Sequence, residues 1–361
     1  MKLLRISVIF SLFLGSVSLA QAQQGPDRME MDCLKLSNSS RRVPPGPPGL
    51  AVAYHHVWIP DLTYGAFESN GRQMYYELEG KGDEMVIVVP GGPGMPQEYV
   101  LPMLSNLGKY VKLVYYNNRI DYLSTKFPYQ PMTLAEMAED IDALRRALGL
   151  RRVTLLAHSF GGAIALTYAL QYPDNVKRLL LVSTTAAFEN PVDTEKRVAS
   201  LLTPEEREMY HVGEGVAGGP CERVLRRYRA LFPHYFHQKP DKDRLDDGVY
   251  SIYFDALARK LVYGGNDGGF DVRAQLERVK APTLVIAGRH DVVTPLEQVS
   301  ELAKGLPMGK LAVLNHSGHF PFHEENYMFT EWVRQFVAAT NDRLGDRLTD
   351  GPVTVDAPGS R

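Results

Sequence analysis

Val153-Thr154-Leu155-Leu156-Ala157-His158-Ser159-Phe160-Gly161-Gly162-Ala163 is the stretch whose reading decides how this chain folds. Apolar, strand-prone residues run into a serine, and two glycines and an alanine-rich apolar segment, residues 164–170, follow it. A strand that turns at once into a helix holds the residue between them in a strained backbone conformation. It lifts that side chain clear of the sheet edge and aims the first N–H groups of the helix at whatever the side chain attacks. Gly161 and Gly162 suit such a turn, because strand, helix and substrate crowd it. The spacing G-x-S-x-G is met as Ala157-His158-Ser159-Phe160-Gly161, with alanine at the first small position. A serine before a helix is also an ordinary N-cap, so the surrounding chain has to separate a nucleophile from a cap.

Upstream of this stretch, Met85-Val86-Ile87-Val88-Val89 is the continuous apolar run that a strand buried on both faces needs, and it stops at Pro90-Gly91-Gly92-Pro93-Gly94. A second buried run covers residues 111–116. Residues 66–69 and 73–78 read as strands joined by the Asn70-Gly71 hairpin turn. Residues 133–148 carry Leu134, Met137, Ile141, Leu144 and Leu148 at helical spacing with charges between them, which predicts an amphipathic helix. Downstream, residues 176–182, 283–287 and 311–314 are further buried strands, the last two each followed by a helical stretch. Such alternation predicts an α/β fold: a mostly parallel sheet with helices on both faces. Residues 184–270 break the rhythm. They are charged, aromatic and helix-like at 205–210, 222–231 and 250–262, and read as a helical cap inserted between two strands.

With 361 residues, 44% of them hydrophobic and 23% charged, the chain has material for one large α/β domain with an insertion. A formal charge of −2 gives no basis for a nucleic-acid or anionic-membrane partner. Lys2 and Arg5 precede an apolar run, residues 6–19, that ends in Ala20-Gln21-Ala22. Residues 1–22 therefore read as a cleavable signal peptide, too short for a transmembrane helix, and predict a secreted or periplasmic protein without stable membrane insertion. Its removal leaves a charge of −2 − 2 = −4. The two cysteines, Cys33 and Cys221, lack metal-type spacing. Export permits a disulfide between them, with two free thiols as the alternative. Residues 23–50, including Arg41-Arg42-Val43-Pro44-Pro45, read as a linker or N-terminal arm. The core then divides into residues 51–183 and 271–340, separated by the cap at 184–270, and residues 341–361 read as a disordered tail.

A serine hydroxyl is a poor nucleophile until a base takes its proton and a carboxylate orients that base. In this architecture the chain order is Ser, acid, His. After Ser159 the acid candidate is Asp291, in Gly288-Arg289-His290-Asp291-Val292, directly past a buried strand. The base candidate is His319, in Asn315-His316-Ser317-Gly318-His319, past the last strand. Both fall at the carboxyl ends of strands, the edge where open α/β sheets bind ligands. His316 is the rival base, and its place nearer the strand favours a packing or hydrogen-bonding role. His290 neighbours the acid, His158 lies buried on the far side of the nucleophile, and His323 falls in the following helix. Asp291 has a rival reading as a capping carboxylate for the segment that begins near Pro295. A tetrahedral intermediate needs two N–H donors for its oxyanion; the backbone of Phe160 supplies one, and Gly92, in the glycine loop after the first long buried strand, the other.

These motifs together resemble those of the α/β-hydrolases, and within them the proline iminopeptidase group, which carries an H-G-G-P-G loop, a G-x-S-x-G-G elbow and a terminal G-H-x-P-x-x-E. The resemblance covers roughly residues 64–337, and Gly318-His319-Phe320-Pro321-Phe322-His323-Glu324 fits the last motif fully. Residues 272–295, with Leu276, Val279, Pro282-Thr283-Leu284 and Asp291, resemble that group's acid region. Three departures stand out. Pro90 occupies the histidine position before the glycine loop, and Ala157 the first elbow glycine. The group's D-Q-R-G-x-G-x-S segment reads here as Asn117-Asn118-Arg119-Ile120-Asp121-Tyr122-Leu123-Ser124, keeping only the arginine and the serine.

The resemblance implies a serine-dependent aminopeptidase that removes an N-terminal residue, typically proline, from a small or short-peptide substrate beneath a helical cap, with no metal or cofactor. The altered segment 117–124 motivates a second reading, an esterase or other acyl hydrolase on the same fold. A secreted binding protein without catalysis is the third. In the resembling group acidic cap residues bind the substrate ammonium. Here Asp267, in Gly264-Gly265-Asn266-Asp267-Gly268-Gly269 where the cap returns to the sheet, is the candidate, against the plain reading of a turn aspartate.

Overall fold

The structure, a computed structural model, describes residues 62–93, 95, 97–116, 133–188, 191–211, 226–227, 229–240 and 269–339. The signal-peptide and arm segments, Cys33, Cys221, the 117–124 segment, Asp267 and the tail 341–361 lie outside the described residues.

Among the described residues, eight strands form one sheet: β1 (Thr63–Ser69), β2 (Arg72–Gly80), β3 (Met85–Val89), β4 (Lys112–Tyr116), β5 (Val153–His158), β6 (Val176–Val182), β7 (Thr283–Gly288) and β8 (Gly309–Leu314). Their spatial order is β1-β2-β4-β3-β5-β6-β7-β8. The β1–β2 hairpin pairs antiparallel and joins β4 antiparallel, and from β4 to β8 every pairing is parallel. Asn70 (φ 49°) and Gly71 (φ 72°) both adopt left-handed backbone, the conformation that lets a two-residue turn follow the strand twist.

Parallel strands need crossovers, and helices supply them on both faces. Among the described residues these are α1 (Leu101–Leu104), α2 (Leu134–Ala147), α3 (Phe160–Gln171), α4 (Pro191–Ala199), α5 (Pro204–Tyr210), α6 (Leu296–Gly305), α7 (Pro321–Glu324) and α8 (Asn326–Ala338). Alternate residues of one strand go to opposite cores. Ile87, Leu155, Ala157, Leu181 and Val285 pack with α2, α3 and α6, while Val88, Leu156, Leu180 and Ile286 pack with α1, α7 and α8. This double burial is why β3 and β5 read as unbroken apolar runs. Helix α2 starts where its sequence stops being extended: Thr133 and Glu136 exchange a capping box.

The long connection from β6 to β7 carries α4 and α5 and leaves the sheet between two anchor points that touch. Phe188 N–H donates to the Phe270 carbonyl at 2.8 Å and Val272 N–H to the Ala186 carbonyl at 2.8 Å, around a bridge between Ala187 and Asp271.

Candidate active site

Ser159 directly follows β5 and precedes α3 with φ 52° and ψ −122°, a region non-glycine residues rarely occupy. Its side chain makes no capping hydrogen bond to α3. A serine placed there only to cap would bond back to the helix N–H groups; this one does not, and it is half-buried. The turn needs glycine for a reason of space: a Cβ on Gly161 would collide with the Val89 and Pro90 carbonyl oxygens. The oxyanion candidates flank the serine. Phe160 is the first residue of α3, where N–H groups lack helical partners. In the loop after β3, Gly91 N–H already donates to the Tyr99 hydroxyl at 2.7 Å, which leaves Gly92, at φ 123°, as the next amide along.

Asp291 lies three residues past β7 and His319 five past β8. The structure brings them together: His319 Nδ1 is 2.9 Å from Asp291 Oδ2, and both side chains are buried. A carboxylate can only accept, so Nδ1 carries the proton and Nε2 is left as the basic nitrogen. Asp291 is held on all sides. Its Oδ1 accepts from Val293 N–H at 2.8 Å and Thr294 N–H at 2.9 Å, and its Oδ2 also accepts from the Thr294 hydroxyl at 2.6 Å. Burial pushes this carboxyl up, but His319 and the donors from His319 and Thr294 outweigh it and hold the group below its ordinary value. Asp291 does not cap the helix that begins at Leu296, whose N-cap Pro295 has no side-chain bond; one of its oxygens closes its own loop and the other holds His319.

The remaining histidines separate cleanly. The His316 ring is exposed and its backbone N–H donates to Glu325 Oε2 at 2.8 Å, so its hydrogen-bonding part is the backbone's, not the ring's. The His290 ring is exposed and stacks on His237 at 3.9 Å between centroids. His323 lies within α7. His158 is buried as expected but not remote: its ring centroid is 4.8 Å from that of His319. The far-side placement expected for it does not hold, because the two rings pack tilted at 53° where β5 and the loop after β8 converge.

Several residues that hold this site escaped the sequence reading. Glu324 Oε2 accepts from Gly318 N–H at 2.6 Å, while its Oε1 accepts from His237 and Gln238 N–H at 2.8 and 3.0 Å. The Tyr235 carbonyl accepts the His319 N–H at 2.6 Å. Arg197 of α4 donates to the Val292 and Val293 carbonyls, beside Asp291. The inserted segment therefore bears directly on both the base loop and the acid loop. Only Glu324 carried a signal, as the last residue of the G-H-x-P-x-x-E run. Among the described residues, no cluster of three or more His, Cys, Asp or Glu is arranged to hold a metal ion.

Two family models match the chain: one described as alpha/beta hydrolase fold over residues 47–214, the other as serine aminopeptidase, S33 over residues 131–326. A proline iminopeptidase of Saccharolobus solfataricus is 23% identical over 283 residues, covering 74% of this chain and 89% of its own. A proline iminopeptidase of Heyndrickxia coagulans is 26% identical over 289 residues, covering 76% of this chain and 98% of its own. Among solved structures, an esterase from Exiguobacterium antarcticum superposes with a TM-score of 0.59 at 21% identity, covering 76% of this chain and 99% of its own.

Proposed function

The chain belongs to the α/β-hydrolases, in the family described as serine aminopeptidase, S33, and from that premise we propose that it is an exported serine hydrolase of the proline-iminopeptidase kind. Ser159 is the nucleophile, His319 the base and Asp291 the carboxylate that orients it. Ser159 Oγ bonds to the acyl carbon while His319 Nε2 takes its proton, and the carbonyl electron pair moves onto the oxygen. The N–H groups of Phe160 and Gly92 receive that charge. When the intermediate collapses, the bond to the leaving amine breaks and the proton on His319 goes to the departing nitrogen. Water then attacks the acyl-enzyme by the same route and frees Ser159.

The observation that carries this reading is the buried His319–Asp291 pair at 2.9 Å, on the sheet edge where Ser159 follows β5 at φ 52° without capping the next helix. The aminopeptidase part draws on the proline iminopeptidase relatives and on residues 318–324. The second reading, an esterase or other acyl hydrolase, draws on the altered segment 117–124. Turnover of prolyl-arylamide against short-chain aryl esters on purified protein separates the two. The aminopeptidase reading expects the arylamide to be cleaved. It also expects Asp267→Asn to cost about 1–3 kcal/mol on substrates with a free N-terminal amine, while ester hydrolysis is nearly unchanged. Ester turnover without arylamide cleavage would replace it with the esterase reading.

A further inference from the structure

We propose that Tyr99 and His158 form a hydrogen-bonded brace that sets the oxyanion-hole loop against the base loop, which makes both of them positioning residues for the hydrolysis assigned above. The proposal rests on that serine-hydrolase reading. Three contacts run in series. Gly91 N–H donates to Tyr99 Oη at 2.7 Å, Tyr99 Oη lies 2.7 Å from His158 Nδ1, and His158 Nε2 lies 2.8 Å from the His319 carbonyl oxygen. They tie the loop after β3, the last residue of β5 and the loop after β8, the three segments that carry the oxyanion donor, the nucleophile and the base.

Proton bookkeeping fixes the direction of every bond. A carbonyl oxygen only accepts, so His158 carries its proton on Nε2. Nδ1 is then bare and accepts the Tyr99 O–H, and the phenol oxygen is free to accept the Gly91 N–H. A doubly protonated His158 would reverse the middle bond, with Nδ1–H donating to the phenol oxygen and the Tyr99 O–H losing its acceptor. Burial foremost, with the neighbouring His319, holds His158 down to about 3, and burial raises the Tyr99 phenol, so both stay neutral. Neutrality matters a second time. During turnover His319 becomes an imidazolium, and a charged ring 4.8 Å away would oppose that.

The brace has two consequences for geometry. Gly91 N–H points to Tyr99 and not to the substrate, which anchors the Pro90–Gly91 peptide, one peptide before the one that carries the Gly92 N–H, and so narrows the directions open to that donor. His319 is held by its ring through Asp291, by its N–H through Tyr235 and by its carbonyl through His158. Aromatic packing surrounds the brace: Tyr99 lies 6.2 and 6.3 Å from Phe320 and Phe322, and His158 lies 4.9 Å from Phe322. Tyr99→Phe therefore removes the hydroxyl and keeps the ring.

The test uses the purified full chain and its Tyr99→Phe, His158→Gln and His158→Phe variants. It measures kcat, KM, the thermal midpoint and the affinity for an alkylboronic acid, which forms a tetrahedral adduct on the serine and places an oxygen in the hole. Tyr99→Phe is expected to lower kcat by about 10–100-fold, less than outright loss of an oxyanion donor, with KM within about twofold and boronate affinity falling in step with kcat. His158→Gln, whose amide offers both a donor nitrogen and an acceptor oxygen, retains more activity than His158→Phe. Unchanged kcat and boronate affinity in Tyr99→Phe would overturn the brace, and so would a fall in thermal midpoint with boronate affinity intact. Imidazole nitrogen chemical shifts give an arm independent of turnover: they report the Nε2–H tautomer for His158, and an Nδ1–H tautomer overturns the proposal. Failure of the parent reading looks different. There the wild-type protein forms no boronate adduct and Ser159→Ala leaves turnover intact, and the brace falls with it.

Discussion

Asp291 divides its carboxylate between two tasks, one oxygen closing its own loop through Val293 and Thr294 and the other holding His319. Its folded pKa is depressed, so its contribution to stability is fully present above the ordinary aspartate value near ~3.9 and is lost as pH falls through the lowered value. Asp291→Asn removes that contribution at every pH. Urea unfolding from pH 3 to 7 should therefore show a gap between wild type and variant that is constant above about pH 5 and closes in acid. A gap that widens in acid would mean that the carboxyl is protonated in the native protein. Turnover should fall by roughly 10⁴-fold, because an amide can stabilise the wrong tautomer of His319. The residues of this pair were legible in the sequence for a simple reason. Each sits in a short loop directly after an unbroken apolar strand, so strand and loop together announced the sheet edge.

At the scale of elements, the base loop is held by α7 and by the inserted segment at once. Glu324, the last residue of α7, accepts from Gly318 with one oxygen and from His237 and Gln238 with the other. Glu324→Gln leaves one acceptor where two were used, so either Gly318 or the His237–Gln238 pair loses its partner. The expected cost is about 1–3 kcal/mol in urea unfolding, the scale for a stranded donor, with a lowered kcat because His319 is the next residue after Gly318. Stability equal to wild type would show that the staple is idle. Strands β3 and β6 match the runs at 85–89 and 176–182 to the residue, whereas β1 and β8 begin three and two residues before the stretches read. The amphipathic run at 133–148 became α2, and Asn70-Gly71 became the hairpin turn. Helix α4 was not anticipated. It buries Val198 in a small cluster with Leu202, Ala230 and Leu231, too few apolar contacts to impose a period on nine residues. Nor could local sequence reveal that Ala186 meets Val272 or that Tyr99 meets His158, because those contacts join segments far apart in the chain.

The whole molecule is organised by one sheet whose two faces are buried under separate helical layers, and whose carboxyl edge gathers what the faces cannot use. Ser159, Asp291 and His319 reach that edge from three strands, and the segment inserted between β6 and β7 rests on it through Arg197 and Tyr235. The chemistry is thus distributed over the chain but concentrated in space, and a single covalent probe addresses it. A fluorophosphonate is attacked by an activated serine, loses fluoride and stays bound as a tetrahedral ester. Intact mass and peptide mapping of the treated protein should show one adduct per chain, on Ser159, absent from Ser159→Ala and strongly slowed in His319→Ala. No adduct on wild-type protein, or an adduct on another residue with Ser159→Ala still turning over substrate, would contradict the assignment of Ser159 as the nucleophile.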